Sequence, residues 1–71
     1  MEEPPVARLA NDIARNLSHL PDDQAAQTIA GHLRSFWDPR MRRQLRDLVS
    51  ADPSVVEPVV VAAVSALDQP R

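Results

Sequence analysis

The chain has 71 residues and no cysteine, which allows one small domain and excludes disulfides, thiolate metal sites and nucleophilic thiols. Its seven prolines, single glycine and apolar fraction of 44%, mostly alanine, valine and leucine, predict an all-α fold over residues 1–71 with short flexible ends. The net charge of −2 gives no overall reason to expect nucleic acid or an anionic membrane as a partner.

Apolar spacing and the positions of proline predict a small bundle of about four short helices. They are expected over residues 5–19, 22–37, 39–50 and 58–68. Pro5 and Pro39 stand at helix starts, where the missing N–H is no loss and the backbone angle is preset. Asp38 is expected to cap the third helix, because its carboxylate can accept a hydrogen bond from a free helix amide.

The expected core lies on one apolar face of each of the first three helices. On the first helix these residues are Val6, Leu9, Ile13, Leu17 and Leu20. On the second helix they are Ala26, Ile29, Ala30, Leu33, Phe36 and Trp37. On the third helix they are Met41, Leu45, Leu48 and Val49.

The fourth helix is apolar on every side, which is unusual for a helix on the outside of a small domain. Pro58 fits the start of a helix better than an interior position, so we expect the fourth helix to begin there. An earlier start at Asp52-Pro53 is the alternative. Val59 and Val61 belong to an apolar surface with no room in so small a core, so we expect burial against another chain. Simple exposure of small alanine and valine side chains is the alternative.

The residue types of known catalytic sites do not form a set in this chain. His19 and His32 lie on different predicted helices and match no zinc-binding spacing. Asp22 and Asp23 are explained by the favourable field at a helix start. A single glycine cannot build a phosphate-binding loop or a nucleophile elbow. We therefore expect no catalytic, cofactor-binding or metal-binding residue here, and a chain that is not an enzyme by itself.

The basic residues are concentrated in one segment. All eight are arginine, and those between positions 34 and 46 are Arg34, Arg40, Arg42, Arg43 and Arg46. Only Asp38 opposes them, and Trp37 stands next to it. We interpret these arginines and Trp37 as a partner-binding surface, because guanidinium groups bind carboxylate and phosphate bidentately. A solvated helix face with local ion pairs, or a helix-turn-helix that binds DNA, are the alternatives.

Three segments resemble the small delta subunit of cytoplasmic NAD-dependent formate dehydrogenases. They are Leu9 to Ala14, His32-Leu33 and, above all, the run Phe-Trp-Asp-Pro-Arg-Met-Arg from Phe36 to Arg42. The order and spacing agree from about Leu9 to Leu48. The resemblance implies a non-catalytic subunit or assembly factor that binds the large catalytic subunit and supports cofactor insertion or complex stability.

The resemblance also implies the cofactors of the whole complex, namely a molybdenum or tungsten pterin cofactor, iron–sulfur clusters, FMN and NAD, with none bound by this chain alone. A cytoplasmic location is expected, since no stretch approaches the roughly 18 apolar residues of a membrane span and the first residues lack a signal core. Two other functions stay open: a self-associating helical module, with a homodimer when isolated, and a small helix-turn-helix regulator that binds DNA.

Overall fold

A computed structural model describes residues 4–68 of the chain. Over this part the chain forms four α-helices, one short 3₁₀ turn and no β-strand. The helices are α1 (Pro5–Asn16), α2 (Asp22–Phe36), α3 (Pro39–Ala51) and α4 (Pro58–Asp68), and the 3₁₀ turn at Pro53–Val55 precedes α4. The predicted all-α bundle is therefore confirmed. The predicted flexible ends include residues 1–3 and 69–71, which lie outside the described residues.

Proline determines where three of the helices begin. Pro5, Pro39 and Pro58 are the first residues of α1, α3 and α4, where an absent N–H leaves no intrahelical bond unmade. Asp38 caps α3 as predicted, because its Oδ1 accepts a hydrogen bond from the backbone N–H of Met41 at 2.8 Å. Among residues 4–68, no helix is both long enough and apolar enough to cross a membrane.

The first helix is shorter than predicted. It ends at Asn16 and not at His19, because the backbone N–H groups of Leu17 and Ser18 donate to the carbonyls three residues earlier. These bonds form tight turns in place of another α-helical turn. Leu17 and Leu20 remain half-buried, so the apolar spacing continues past the end of the helix.

The face of α1 that packs inward is built from small side chains. Its buried residues are Val6, Ala7, Ala10, Asn11 and Ala14. The predicted face is wrong in part, since Leu9 is 46% exposed and Ile13 is only half-buried. Alanine lets the backbone of α1 approach its neighbours closely, and the larger residues then lie along the margins of the contact.

The centre of the bundle is α4, which packs most extensively against α2 and also contacts α1 and α3. Val60 and Ala63 are fully buried, together with Leu33 of α2. Three other helices contact α4, yet Ala62 on its outer side is exposed, so burial of this side against another chain stays a prediction. Val59 and Val61 are half-buried and pack against the core.

A buried asparagine connects α1 to the segment before α4. Asn11 is only 4% exposed, and its Nδ2 donates to the carbonyl of Val55 at 3.1 Å. The backbone N–H of Glu57 donates to Asn11 Oδ1 at 2.8 Å. Both ends of the amide are thus satisfied by backbone groups that are distant in sequence, and the start of α4 is held against α1.

Candidate functional site

Four of the predicted arginines converge on one surface depression between α2, α3 and α4, with a volume of about 360 Å³. We call it the arginine groove. Its charged lining residues are Arg34, Arg42, Arg43 and Arg46, and its other lining residues are Pro39, Val64 and Leu67.

Local structure explains why these arginines meet. Arg46 lies four residues after Arg42 and three residues after Arg43 on α3, so it is a surface neighbour of both. The short connection between α2 and α3 turns at the Asp38 cap and brings the end of α2 beside the first turns of α3. There, Arg42 Nη1 donates to the backbone carbonyl of Arg34 at 3.4 Å, a long hydrogen bond that joins the two helices.

The groove combines a cationic rim with an apolar floor. Arg34, Arg43 and Arg46 are exposed and Arg42 is half-buried, whereas Val64 is buried. Arg34, Arg42 and Arg43 form no ion pair with a carboxylate of residues 4–67, the part of the chain whose side chains the structure describes. These three arginines therefore do not form the local ion pairs of the solvated-face alternative. Their like charges repel one another, and a bound anion would relieve that repulsion.

The other predicted partner-binding residues lie outside the groove. Arg40 is exposed on α3 but does not line the depression. Trp37 is 8% exposed and belongs to the hydrophobic core. Val59 lines a different depression, near the start of α4, and Val61 is half-buried. A role of these four residues in binding stays a prediction.

Phe36 was assigned to the core from the sequence, and this assignment is wrong. The side chain is 76% exposed, and its ring centroid lies 4.8 Å from that of His32. Phe36 is the last residue of α2, whereas Trp37 has the extended backbone of a residue that has left the helix. Two adjacent aromatic residues thus have opposite environments. The end of α2 between them could have indicated this difference, because the backbone leaves the helix after Phe36.

Metal-binding side chains do not cluster in the described part of the chain. Among residues 4–67, no three side chains of the types His, Cys, Asp and Glu form a group that could hold an ion. Over the same residues, no buried side-chain nitrogen or oxygen lacks a hydrogen-bond partner. The arginines of the groove can bind an anionic surface, because guanidinium groups pair with carboxylate and phosphate.

With its four-helix bundle and arginine groove, the chain belongs to the class of small all-α proteins that carry a cationic surface groove. The family model of FdsD, the NADH-dependent formate dehydrogenase delta subunit, matches residues 6–64. The chain therefore belongs to this family, and the resemblance noted from Phe36 to Arg42 is confirmed. All four groove arginines lie within the matched residues. No curated protein and no solved structure matches the chain significantly.

Proposed function

We propose that this chain is a non-catalytic subunit of an NADH-dependent formate dehydrogenase, and that it binds the large catalytic subunit. Family membership over residues 6–64 is the observation that carries the proposal. The arginine groove supports it, because an accessory subunit acts through its surface and four arginines line this depression. The proposal includes a cytoplasmic location, which the resemblance implies.

In this proposal the redox chemistry belongs to the other subunits. The chain has no cysteine to hold an iron–sulfur cluster and one glycine, too few for a dinucleotide-binding fingerprint. The molybdenum or tungsten pterin cofactor, the iron–sulfur clusters, FMN and NAD would be bound by its partners. The contribution of this chain is then to support insertion of the metal cofactor or to stabilise the assembled complex.

The decisive experiment is expression of the other subunits with and without this chain. We expect a complex made without it to show lower formate-dependent NAD reduction and less metal per catalytic subunit. Full metal content with activity that is lost faster on warming or dilution would favour stabilisation over insertion. Activity, metal content and stability that are all unchanged would contradict the accessory role.

Purification of the tagged chain tests the binding partner directly. The catalytic subunit should co-purify with it and be identified by mass. A chain that instead sediments as a dimer and retains no other subunit would favour the self-associating module. Binding to DNA that weakens steeply with salt would favour the regulator.

A further inference from the structure

We infer that the arginine groove binds an acidic segment of the catalytic subunit, in which carboxylates flank an apolar side chain. This inference rests on the proposed function and adds the site and the chemistry of the partner. The rim supplies the first part of the argument. Arg34 and Arg43 are exposed and come from different helices, so a chain lying across the groove can place one carboxylate on each guanidinium fork.

Arg42 is arranged to take part in the same contact. It is half-buried, and its bond to the carbonyl of Arg34 holds the side chain between α2 and α3. Guanidinium has several N–H donors, and this bond uses only one nitrogen of the group. Because the side chain is already partly ordered, less conformational entropy is lost when an anion binds.

The floor of the groove determines what kind of anion fits. Val64, Leu67 and Pro39 give it an apolar surface, which a small inorganic anion or formate would leave in contact with water. A polypeptide segment that carries an apolar residue between acidic ones covers the floor and pairs with the rim. Protein interfaces commonly have this arrangement, with an apolar centre and a polar margin.

The distribution of charge also favours an acidic partner at this one place. Residues 34–46 contain five arginines and one aspartate, which gives +4, whereas the chain as a whole carries −2. The rest of the sequence therefore carries −6, the difference between these two values. An acidic partner surface is repelled by most of the chain and attracted by the groove, which selects a single orientation of binding.

Charge reversal with a matched control tests the location. The groove variant is Arg34→Glu with Arg43→Glu, and the control is Arg8→Glu with Arg15→Glu, which changes the net charge equally at exposed positions on α1, outside the groove. We expect the groove variant to bind the catalytic subunit at least about a hundredfold more weakly than the wild-type chain, as measured by titration. The control should change the affinity by less than about threefold.

The outcomes separate the two proposals. If the wild-type chain does not bind the catalytic subunit, the proposed function fails and this inference fails with it. If the wild-type chain binds and both double variants lose affinity equally, or neither does, the accessory role stands and the groove is not the contact. Melting curves of both variants, recorded first, confirm that each is folded.

Carbodiimide coupling tests the chemistry of the partner. The chain contains no lysine, so Arg43→Lys adds a single side-chain amine inside the groove and keeps the positive charge. Carbodiimide activates a carboxylate, the lysine nitrogen forms an amide bond with it, and the reagent takes up the water that is lost. Arg8→Lys, at an exposed position on α1, is the control outside the groove.

We expect Arg43→Lys to join covalently to an acidic peptide of the catalytic subunit, identified by mass, and Arg8→Lys to give only background. The isolated variants, treated in the same way, measure coupling within the chain. Absence of a product from a complex that still forms overturns the inference. So does coupling to a second copy of this chain, or displacement of the partner by a phosphorylated small molecule.

Discussion

The third and fourth helices share one bundle but differ in what surrounds them. In α4 the side chains of Val60 and Ala63 are fully buried, and three other helices contact it. In α3 the only buried residue is Leu45, and three of its arginines line the groove. The comparison indicates that α4 contributes chiefly to stability, whereas the exposed side of α3 is free to serve binding.

This separation matters because the stability of so small a domain is a few kcal/mol. Fully burying one large apolar side chain contributes about 1.5 to 3 kcal/mol. A single truncation in the interior can therefore unfold the chain, whereas a change on the outer surface of α3 should not. The following variants test this division between residues that stabilise the fold and residues that are free to bind a partner.

The largest effect is expected at Trp37, which belongs to the hydrophobic core. Trp37→Ala should destabilise the fold by about 3 to 5 kcal/mol, because it removes a large ring from the core. Phe36→Ala is the control next to it in sequence, and its exposed ring should change the free energy of unfolding by about 0.5 kcal/mol or less. Thermal and urea melts measure both. Equal losses would show that the two rings do not have opposite environments.

The interior of the bundle is tested next by Leu33→Ala. Leu33 is fully buried, and its truncation should cost about 2 to 5 kcal/mol. Leu9→Ala removes the same atoms from a side chain that is largely exposed, so it should cost about 1 kcal/mol or less. Circular dichroism melts that cannot distinguish these two variants would mean that the inward faces of α1 and α2 are assigned wrongly.

A smaller effect is expected at Asn11. Asn11→Ala leaves the carbonyl of Val55 and the N–H of Glu57 without their partner, which should cost about 1 to 3 kcal/mol. Asn16→Ala, at an exposed position on the same helix, is the matched control. Hydrogen exchange should accelerate at the amide of Glu57 in the first variant alone. Unchanged exchange there would contradict the connection between α1 and the start of α4.

Much of the fold could be predicted because proline and aspartate act locally. Pro39, Pro58 and the Asp38 cap determine helix starts whatever the rest of the chain does. The end of α1 could not be placed at Asn16, because tight turns carry Leu17 inward just as another helical turn would. The inward face of α1 was missed for a related reason, since alanine gives a weak apolar signal although it permits the closest approach of helices.

The composition of the sequence predicted which segment contains the candidate site, but not which of its arginines line one groove. Five arginines in one segment indicated a binding surface, yet helical geometry alone spreads those of α3 around its exterior. Only the arrangement of α2, α3 and α4 in the bundle brings Arg34, Arg42, Arg43 and Arg46 to one depression and leaves Arg40 outside. Asn11 could have been found, because it shares a face with Ala7 and Ala14 at four- and three-residue steps.

The smallest effect on folding, and a large effect on binding, is expected from Arg42→Ala combined with Arg46→Ala. Side chains at the rim of the groove contribute roughly 0 to 1 kcal/mol to folding, so the melt should be nearly unchanged. Loss of one member of an interfacial charge pair costs about 2 to 5 kcal/mol of affinity, so association with the catalytic subunit should weaken sharply. Arg8→Ala with Arg15→Ala, at exposed positions on α1 outside the groove, is the control.

Ionic strength adds a second measurement on the same variants. Added salt screens charges that remain accessible to water, so it should weaken binding of the wild-type chain and of the control. The Arg42→Ala, Arg46→Ala variant has lost two of the four groove charges, so its residual affinity should respond less to salt. If it co-purifies with the catalytic subunit as well as the wild-type chain does at physiological salt, Arg42 and Arg46 are solvated residues. The contact would then have to be sought elsewhere, first at the exposed ring of Phe36, the most exposed large apolar side chain among residues 4–68.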